Sequence, residues 1–349
     1  MARRRLERRL LLKELGFAEE PFTISADPRF LYLSTQHGEV LERTRDVVEE
    51  FRGLAVVEGG YGVGKSSLAL RMESIYRALP DEYRVVFVHT ASYESQFAGL
   101  QDLSHALGLP RRRGLTKQWR EFENFLVDEH RQGRNVCIVL DDAQLMNQDA
   151  LQIVHHVYNF DRGGRKLAQV VLFGQPELAY IFALNPEIRS RVDSWFRLNP
   201  LSLEDTLQLI RFRCTVAGRE EPLFNQAAFL EVFESTNGVP REIVSVCARV
   251  LDELGARGLT TADVEATDGA IESYRSARTD APRIRTEPAA ERRPAEERMP
   301  AKEGRPATRA KPAAKRKPAS SQKPSSKREP VTESEPATEA RGSAREHAK

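Results

Sequence analysis

The chain has little of what secreted and membrane-spanning proteins depend on. Its 349 residues include only 3 cysteines. Cys137, Cys214 and Cys247 lie far apart in apolar segments, with neither metal-ligand spacing nor a disulfide framework, so a reducing cytoplasm is expected. No run approaches the roughly 20 apolar residues that a bilayer crossing needs. The start, residues 1–12, is arginine-rich and lacks the long uncharged stretch of a signal peptide. Large apolar side chains also nearly vanish from about Ser276 onward, where Pro, Ala, Ser, Lys, Arg and Glu dominate. Such a stretch cannot bury enough apolar surface to offset chain entropy, and residues 275–349 are expected to form a disordered basic tail.

About 20 basic and 11 acidic residues fall from Arg275 onward, out of 53 and 51 in the whole chain, which gives the tail roughly +9 and the rest roughly −7. The overall +2 therefore averages two opposite charges. A basic arm on an acidic body suits an anionic partner, either nucleic acid or a peripheral membrane surface; alternatively it is a solubilising linker. Residues 1–15 read as a short basic helix with Leu6 and Leu10 on one face. That helix is either a phosphate or lipid contact or a solvated helix end.

What is present is an alternation of apolar runs and amphipathic stretches. Candidate strands are 54–57, 85–89, 136–140, 170–173 and 195–198, each short and almost free of charge, as expected of strands covered on both faces. Stretches such as 118–130 and 149–160 have helical period. This rhythm predicts an α/β core with a parallel sheet over residues 16–199. After Pro200 the strand signals stop. Helices are expected over Leu203–Val216 with Ser202 as cap, from Asn225 through Phe233, over 241–254, and from a Thr261 cap through Ile271. They would make a small helical domain over residues 200–274.

The segment Gly59-Gly60-Tyr61-Gly62-Val63-Gly64-Lys65-Ser66 fits G-x-x-x-x-G-K-[ST] between a strand and the helix that Ser67 opens. A strand feeding a glycine-rich turn into a helix aims backbone N–H groups and the positive helix end at one point, where a triphosphate sits. Lys65 is expected to reach the phosphate oxygens and Ser66 to bind Mg²⁺. The run 136–140 ends in Asp141-Asp142, two carboxylates that repel unless a cation is near. Asp141 is the candidate metal anchor and Asp142 the candidate base for the attacking water. The run 170–173 leads into Gly174-Gln175, which brings Gln175 towards the γ-phosphate unless it serves only as a helix cap or turn. Arg191, or else Arg189, is a candidate finger reaching a neighbouring subunit's site, against a plain surface arginine. In Gly238-Val239-Pro240-Arg241, Pro240 starts a helix and leaves Arg241 in its first turn, facing the nucleotide.

Together these residues resemble the AAA+ ATPases, and more narrowly the ExeA-like, general secretion pathway protein A group. The resemblance covers about residues 14 to 270 and adds Glu20-Pro21-Phe22, Ala26-Asp27-Pro28-Arg29-Phe30-Leu31-Tyr32, His37, Asp141-Asp142-Ala143-Gln144 and Gly174-Gln175-Pro176-Glu177-Leu178 to the pattern. It implies a P-loop three-layer core with a helical lid, ATP with Mg²⁺ as ligands, and an adenine pocket to which Pro21, Phe22 and His37 contribute. It implies Arg191 as finger, Arg241 as second sensor, and a bacterial-type cytoplasmic homo-oligomer, ring or filament. The group's usual Asp-Glu pair is Asp141-Asp142 here, which implies slow or switch-like turnover. Three roles stay open: an ATPase serving a secretion, pilus or other cell-envelope machine through an unidentified protein partner, an ATP-dependent DNA-binding regulator, and an ATP-gated scaffold that barely hydrolyses.

Overall fold

The computed structural model describes residues 2–24 and 27–279. Its elements run α1 (Ala2–Glu14), α2 (Thr35–Glu49), β1 (Leu54–Gly59), α3 (Lys65–Arg77), β2 (Tyr83–Val88), α4 (Gln96–Ala106), α5 (Leu115–Arg131) and β3 (Asn135–Leu140). They continue with α6 (Gln148–Tyr158), β4 (Asp161–Arg162), β5 (Arg165–Lys166), β6 (Ala168–Gly174), α7 (Glu177–Ala183), α8 (Pro186–Arg189) and β7 (Ser194–Leu198). Four further helices follow: α9 (Leu203–Val216), α10 (Gln226–Thr236), α11 (Pro240–Arg257) and α12 (Val264–Thr279).

Five strands form a parallel sheet in the order β2-β3-β6-β1-β7. The apolar runs explain why. Side chains alternate across a strand, so a strand apolar at every position must be covered on both faces. On β1, Leu54 and Val56 enter the core shared with α4, α5 and α6, while Ala55 and Val57 enter the core shared with α2 and α3. β3 and β6 divide their residues in the same way and are likewise buried throughout. The α/β reading thus holds, with β6 seated between the strand that precedes the phosphate loop and the strand that ends in the acids. The three cysteines are buried and unpaired.

The helices α9 to α12 surround a separate apolar core. Leu12, Leu15, Phe17, Phe22 and Phe30 join that cluster, so the N-terminal segment packs with the lid and the boundary expected near residue 16 falls inside it. Helical geometry gives α1 two faces. Arg8, Leu12 and Leu15 recur at helical spacing and face the lid, where Arg8 pairs with Glu20 and Asp252. Leu6 and Leu10 lie on the far side and are 60% and 53% exposed. Arg219, buried without an acid, donates to the carbonyls of Leu15, Glu221, Pro222 and Thr260, tying the end of α1 to the lid.

Both ends of α12 differ from expectation. Thr261 does not cap α12. Thr261 lies in a bend, Ala262 makes an isolated bridge with Phe224, and the Asp263 carboxylate accepts from Ala266 N–H instead. The helix also runs to Thr279, past both the expected end at Ile271 and the domain boundary at 274. Tyr274 explains the extension: it packs against the lid core and its ring lies under both Arg249 and Arg278. The tail expected from 275 otherwise lies outside the described residues. Among the described residues no helix is long and apolar enough to cross a membrane.

Candidate nucleotide site

The phosphate loop leaves β1 at Gly59 and turns into α3 at Lys65. Gly64 has φ +104°, and a Cβ there would lie 2.8 Å from His37 Nε2, so only glycine fits. His37 is buried and braces the loop from below: its Nε2–H donates to Val63 O at 2.9 Å, and its Nδ1 accepts from the Ser34 hydroxyl at 2.7 Å. The carbonyl can only accept, which fixes the neutral tautomer. Burial pushes the pKa of His37 down.

Lys65 is 7% exposed and donates to Gly59 O at 2.9 Å and Gly60 O at 2.8 Å. Burial lowers its pKa, while the nearby charges of Asp141, Asp142 and Glu177 pull it up. Its ammonium is therefore held by two carbonyls of the very loop that would cradle phosphate. Asp141 is buried at the end of β3, and its Oδ1 accepts from Asp142 N–H at 2.9 Å. Burial raises its pKa, and hydrogen bonds from the Ser66 hydroxyl and from Asp142 N–H draw it down. Asp142 has φ +47°, ψ +39°, a left-handed conformation that non-glycine residues seldom adopt, aspartate more readily than most.

A cleft of about 330 Å³ opens above these groups, between core and lid. From the core, Lys65, Ser66, Asp142 and Gln175 line it, together with Tyr61, Gly62, Gly64, Ser67 and His37. From the lid come Leu209, Arg213, Pro240 and Arg241. Arg241 lies in the first turn of α11; its N–H donates to Gly62 O at 3.3 Å and its guanidinium lies 4.8 Å above the Tyr61 ring. Gly59, Val63 and Asp141 are buried and do not line it, and Gly60 is exposed and does not line it either. Pro21 and Phe22 do not line the cleft: Phe22 is packed into the lid core, and Pro21 offers its carbonyl to Arg213. Ile24, Leu31 and Tyr32 line the cleft in their stead, with Tyr32 donating to Asp205. Arg191 and Arg189 stand away from it. Arg191 donates to Asn159 Oδ1 at 2.6 Å, and Arg189 lies over the Trp195 ring.

The donor set fits a nucleoside triphosphate with Mg²⁺. A glycine cradle that any Cβ would fill, a buried ammonium without a direct acid partner, and a buried carboxylate beside a hydroxyl all suit bound phosphate and cation. Among the described residues no three His, Cys, Asp or Glu side chains gather as a metal cluster. The cation would thus rest on Ser66, Asp141 and phosphate oxygens, the sparse protein ligation typical of Mg²⁺.

Sequence reasoning overlooked three residues that matter here. Arg213 pins the pocket segment through the carbonyls of Pro21 and Thr23, Tyr32 ties that segment to α9 through Asp205, and Gln144 bridges two strand ends. Only Gln144 and Tyr32 fell within motifs already singled out.

Comparisons with known proteins agree with this geometry. Residues 48–182 match the family model described as AAA domain. The chain is 29% identical over 247 residues to General secretion pathway protein A of Aeromonas hydrophila, covering 70% of this chain and 44% of that protein. It therefore spans less than half the length of this relative. Among solved structures, Cdc6p from Pyrobaculum aerophilum superposes with a TM-score of 0.57 at 17% identity, covering 74% of this chain and 72% of that one. The Aeropyrum pernix ORC2 protein, solved as ADPNP–ADP complexes, gives 0.54 at 13% identity, covering 70% and 71%. At such identities the structures show a shared fold. With sheet order, phosphate loop and acidic strand end in agreement, the chain carries an AAA domain over residues 48–182 on an AAA+ P-loop fold.

Proposed function

We propose that this chain is an ATP-binding and ATP-hydrolysing switch that works as a homo-oligomer. The observation that carries the reading is the convergence of Lys65, Ser66, Asp142, Gln175 and Arg241 on one cleft, with Asp141 just beneath. Lys65 exchanges its loop carbonyls for phosphate oxygens when ATP enters. Arg241 reaches the γ-phosphate from the lid, leaving the Tyr61 ring. Asp142 accepts a proton from the attacking water as its oxygen bonds to the γ-phosphorus and the bond to the β-phosphate oxygen breaks. Gln175 orients that water. Mg²⁺ on Ser66 and Asp141 supplies charge neutralisation of the phosphates. Arg191 would reach a neighbour's site, a role compatible with its place outside its own subunit's cleft.

The finer role follows similarity. Kinship with General secretion pathway protein A supports service to a cell-envelope machine through a protein partner, from the cytoplasmic side. A second reading, a DNA-bound regulator, draws support from Arg111-Arg112-Arg113. These exposed arginines sit on a loop fixed by buried Gln118, whose amide bonds Arg112 N and Pro110 O. Binding to duplex that falls steeply with salt and depends on ATP favours the second reading; its absence favours the first. The shorter Asp142 also keeps an ATP-gated scaffold in view.

Phosphate release tests the core of the proposal. Asp142→Asn is expected to bind ATP normally while turnover falls about 10²-fold or more. Arg191→Ala is expected to lower turnover about 10³-fold without loss of binding by single subunits. Equal turnover in wild type and Asp142→Asn contradicts hydrolysis at this site, and measurable binding with no release from any form selects the scaffold.

A further inference from the structure

Asp142 and Gln175 leave neighbouring strands, and one side chain spans them. Gln144 Nε2 donates to Asp142 Oδ1 at 3.0 Å, and Gln144 Oε1 accepts from Gln175 N–H at 3.0 Å. The amide can sit only one way round, because a carboxylate only accepts and a backbone N–H only donates. We infer that Gln144 is a positioning residue for the Asp142 carboxylate, clamping it to the end of β6 so that one oxygen is spent on the clamp and the other faces the attacking water. The inference rests on the hydrolytic reading above and adds what sets the acid's aim.

The backbone prepares this clamp. Asp142 is left-handed, and the chain then folds into a 3-10 turn over Ala143–Leu145, closed by Leu145 N–H to Asp142 O at 2.9 Å. That turn carries Gln144 back over its own acid. On the facing strand, a Cβ on Gly174 would lie 3.3 Å from both Gln144 N and Gln144 Oε1 and 2.9 Å from Leu178 Cδ2. The absence of a side chain at Gly174 is what admits the amide. Leu140 pairs with Leu172 across β3 and β6, so the two strand ends come level and one amide reaches both. Among the described residues no other side chain donates to the Asp142 carboxylate. Released from Gln144, that carboxylate regains rotation about its own bonds, and a misplaced base is costly to catalysis.

The full chain carrying Gln144→Ala or Gln144→Glu, with Asp142→Asn as reference, tests this through steady-state phosphate release and Mg·ATP titration. Glutamate keeps the acceptor for Gln175 N–H but sets a like charge against Asp142. Both variants are expected to lose about tenfold to hundredfold in kcat, with KM and ATP affinity within about twofold of wild type and Gln144→Glu at least as slow as Gln144→Ala. Wild-type kcat in either variant overturns the inference while leaving hydrolysis by Asp142 intact. So does a loss confined to Gln144→Ala with raised KM and lowered melting temperature, which marks a structural prop. If Asp142→Asn turns over as fast as wild type, the hydrolytic reading falls and the inference falls with it.

Discussion

The two layers that meet at the cleft reach it by different means. On the core side, position is a matter of strand register. Glu58 pairs with Gly174 and Leu140 with Leu172, so the phosphate loop, the acids and Gln175 emerge side by side from paired strands. On the lid side there is no ladder to set position. Arg241 is placed by a turn, in which Leu201 N–H donates to Gly238 O at 2.8 Å and Pro240 opens α11, and by its own N–H to Gly62 O at 3.3 Å. A group at the end of a ladder is fixed by many backbone bonds, whereas Arg241 rests on one bend and one backbone bond to the phosphate loop. In the proposed switch the core would hold the chemistry and the lid would read nucleotide state.

Breaking the lid's one bend should do the most damage. Gly238 has φ +71°, and a Cβ there would lie 2.1 Å from Leu201 O. Gly238→Ala is expected to cost on the order of 3 kcal/mol, which lowers the melting temperature by roughly 10 °C. A melting curve superposed on wild type would show that the bend is not what sets the lid. Next in size, Arg241→Ala should leave the fold intact and ATP bound while slowing hydrolysis about tenfold, the weight of one charge-assisted hydrogen bond. Rates that match wild type would remove Arg241 from sensing. The smallest effect concerns His37. Burial depresses its folded pKa below the unfolded value, so its contribution is intact above about pH 6.5 and is lost as pH falls below that value. Melting of wild type between pH 7.5 and 5.5 should thus fall more than melting of His37→Gln, and parallel profiles would place the brace elsewhere.

Much of this molecule could be read from its residues because local patterns answer to local physics. Apolar runs mark the strands, with β1, β3 and β6 buried throughout and the edge strands β2 and β7 only in part, and the expected segments fall within a few residues of all five. Leu203–Val216 matches end for end, with Ser202 accepting from Asp205 N–H as its cap. The phosphate loop is contiguous and carries its own geometry. Where packing decides, the sequence misled. Leu6 and Leu10 do share one exposed face of α1, but nothing in residues 1–15 says that Leu12 and Leu15 meet the lid, because the surface they meet begins some 200 residues later. Phe22 was expected beside adenine and is drawn into the lid core instead, while Ile24 and Tyr32 face the cleft. Gln144 stood in plain view beside the acids. Its role needs the end of a strand 31 positions away, which no local pattern reports.

In the proposed switch Lys65 gives up two loop carbonyls for a triphosphate. Titrating wild type and Lys65→Ala with a fluorescent ATP analogue and Mg²⁺, while following nucleotide-free melting of both, tests this most directly. Saturable binding by wild type, weakened about 100-fold or more in Lys65→Ala with unchanged melting, is the predicted result. Equal affinity in the two proteins would contradict it.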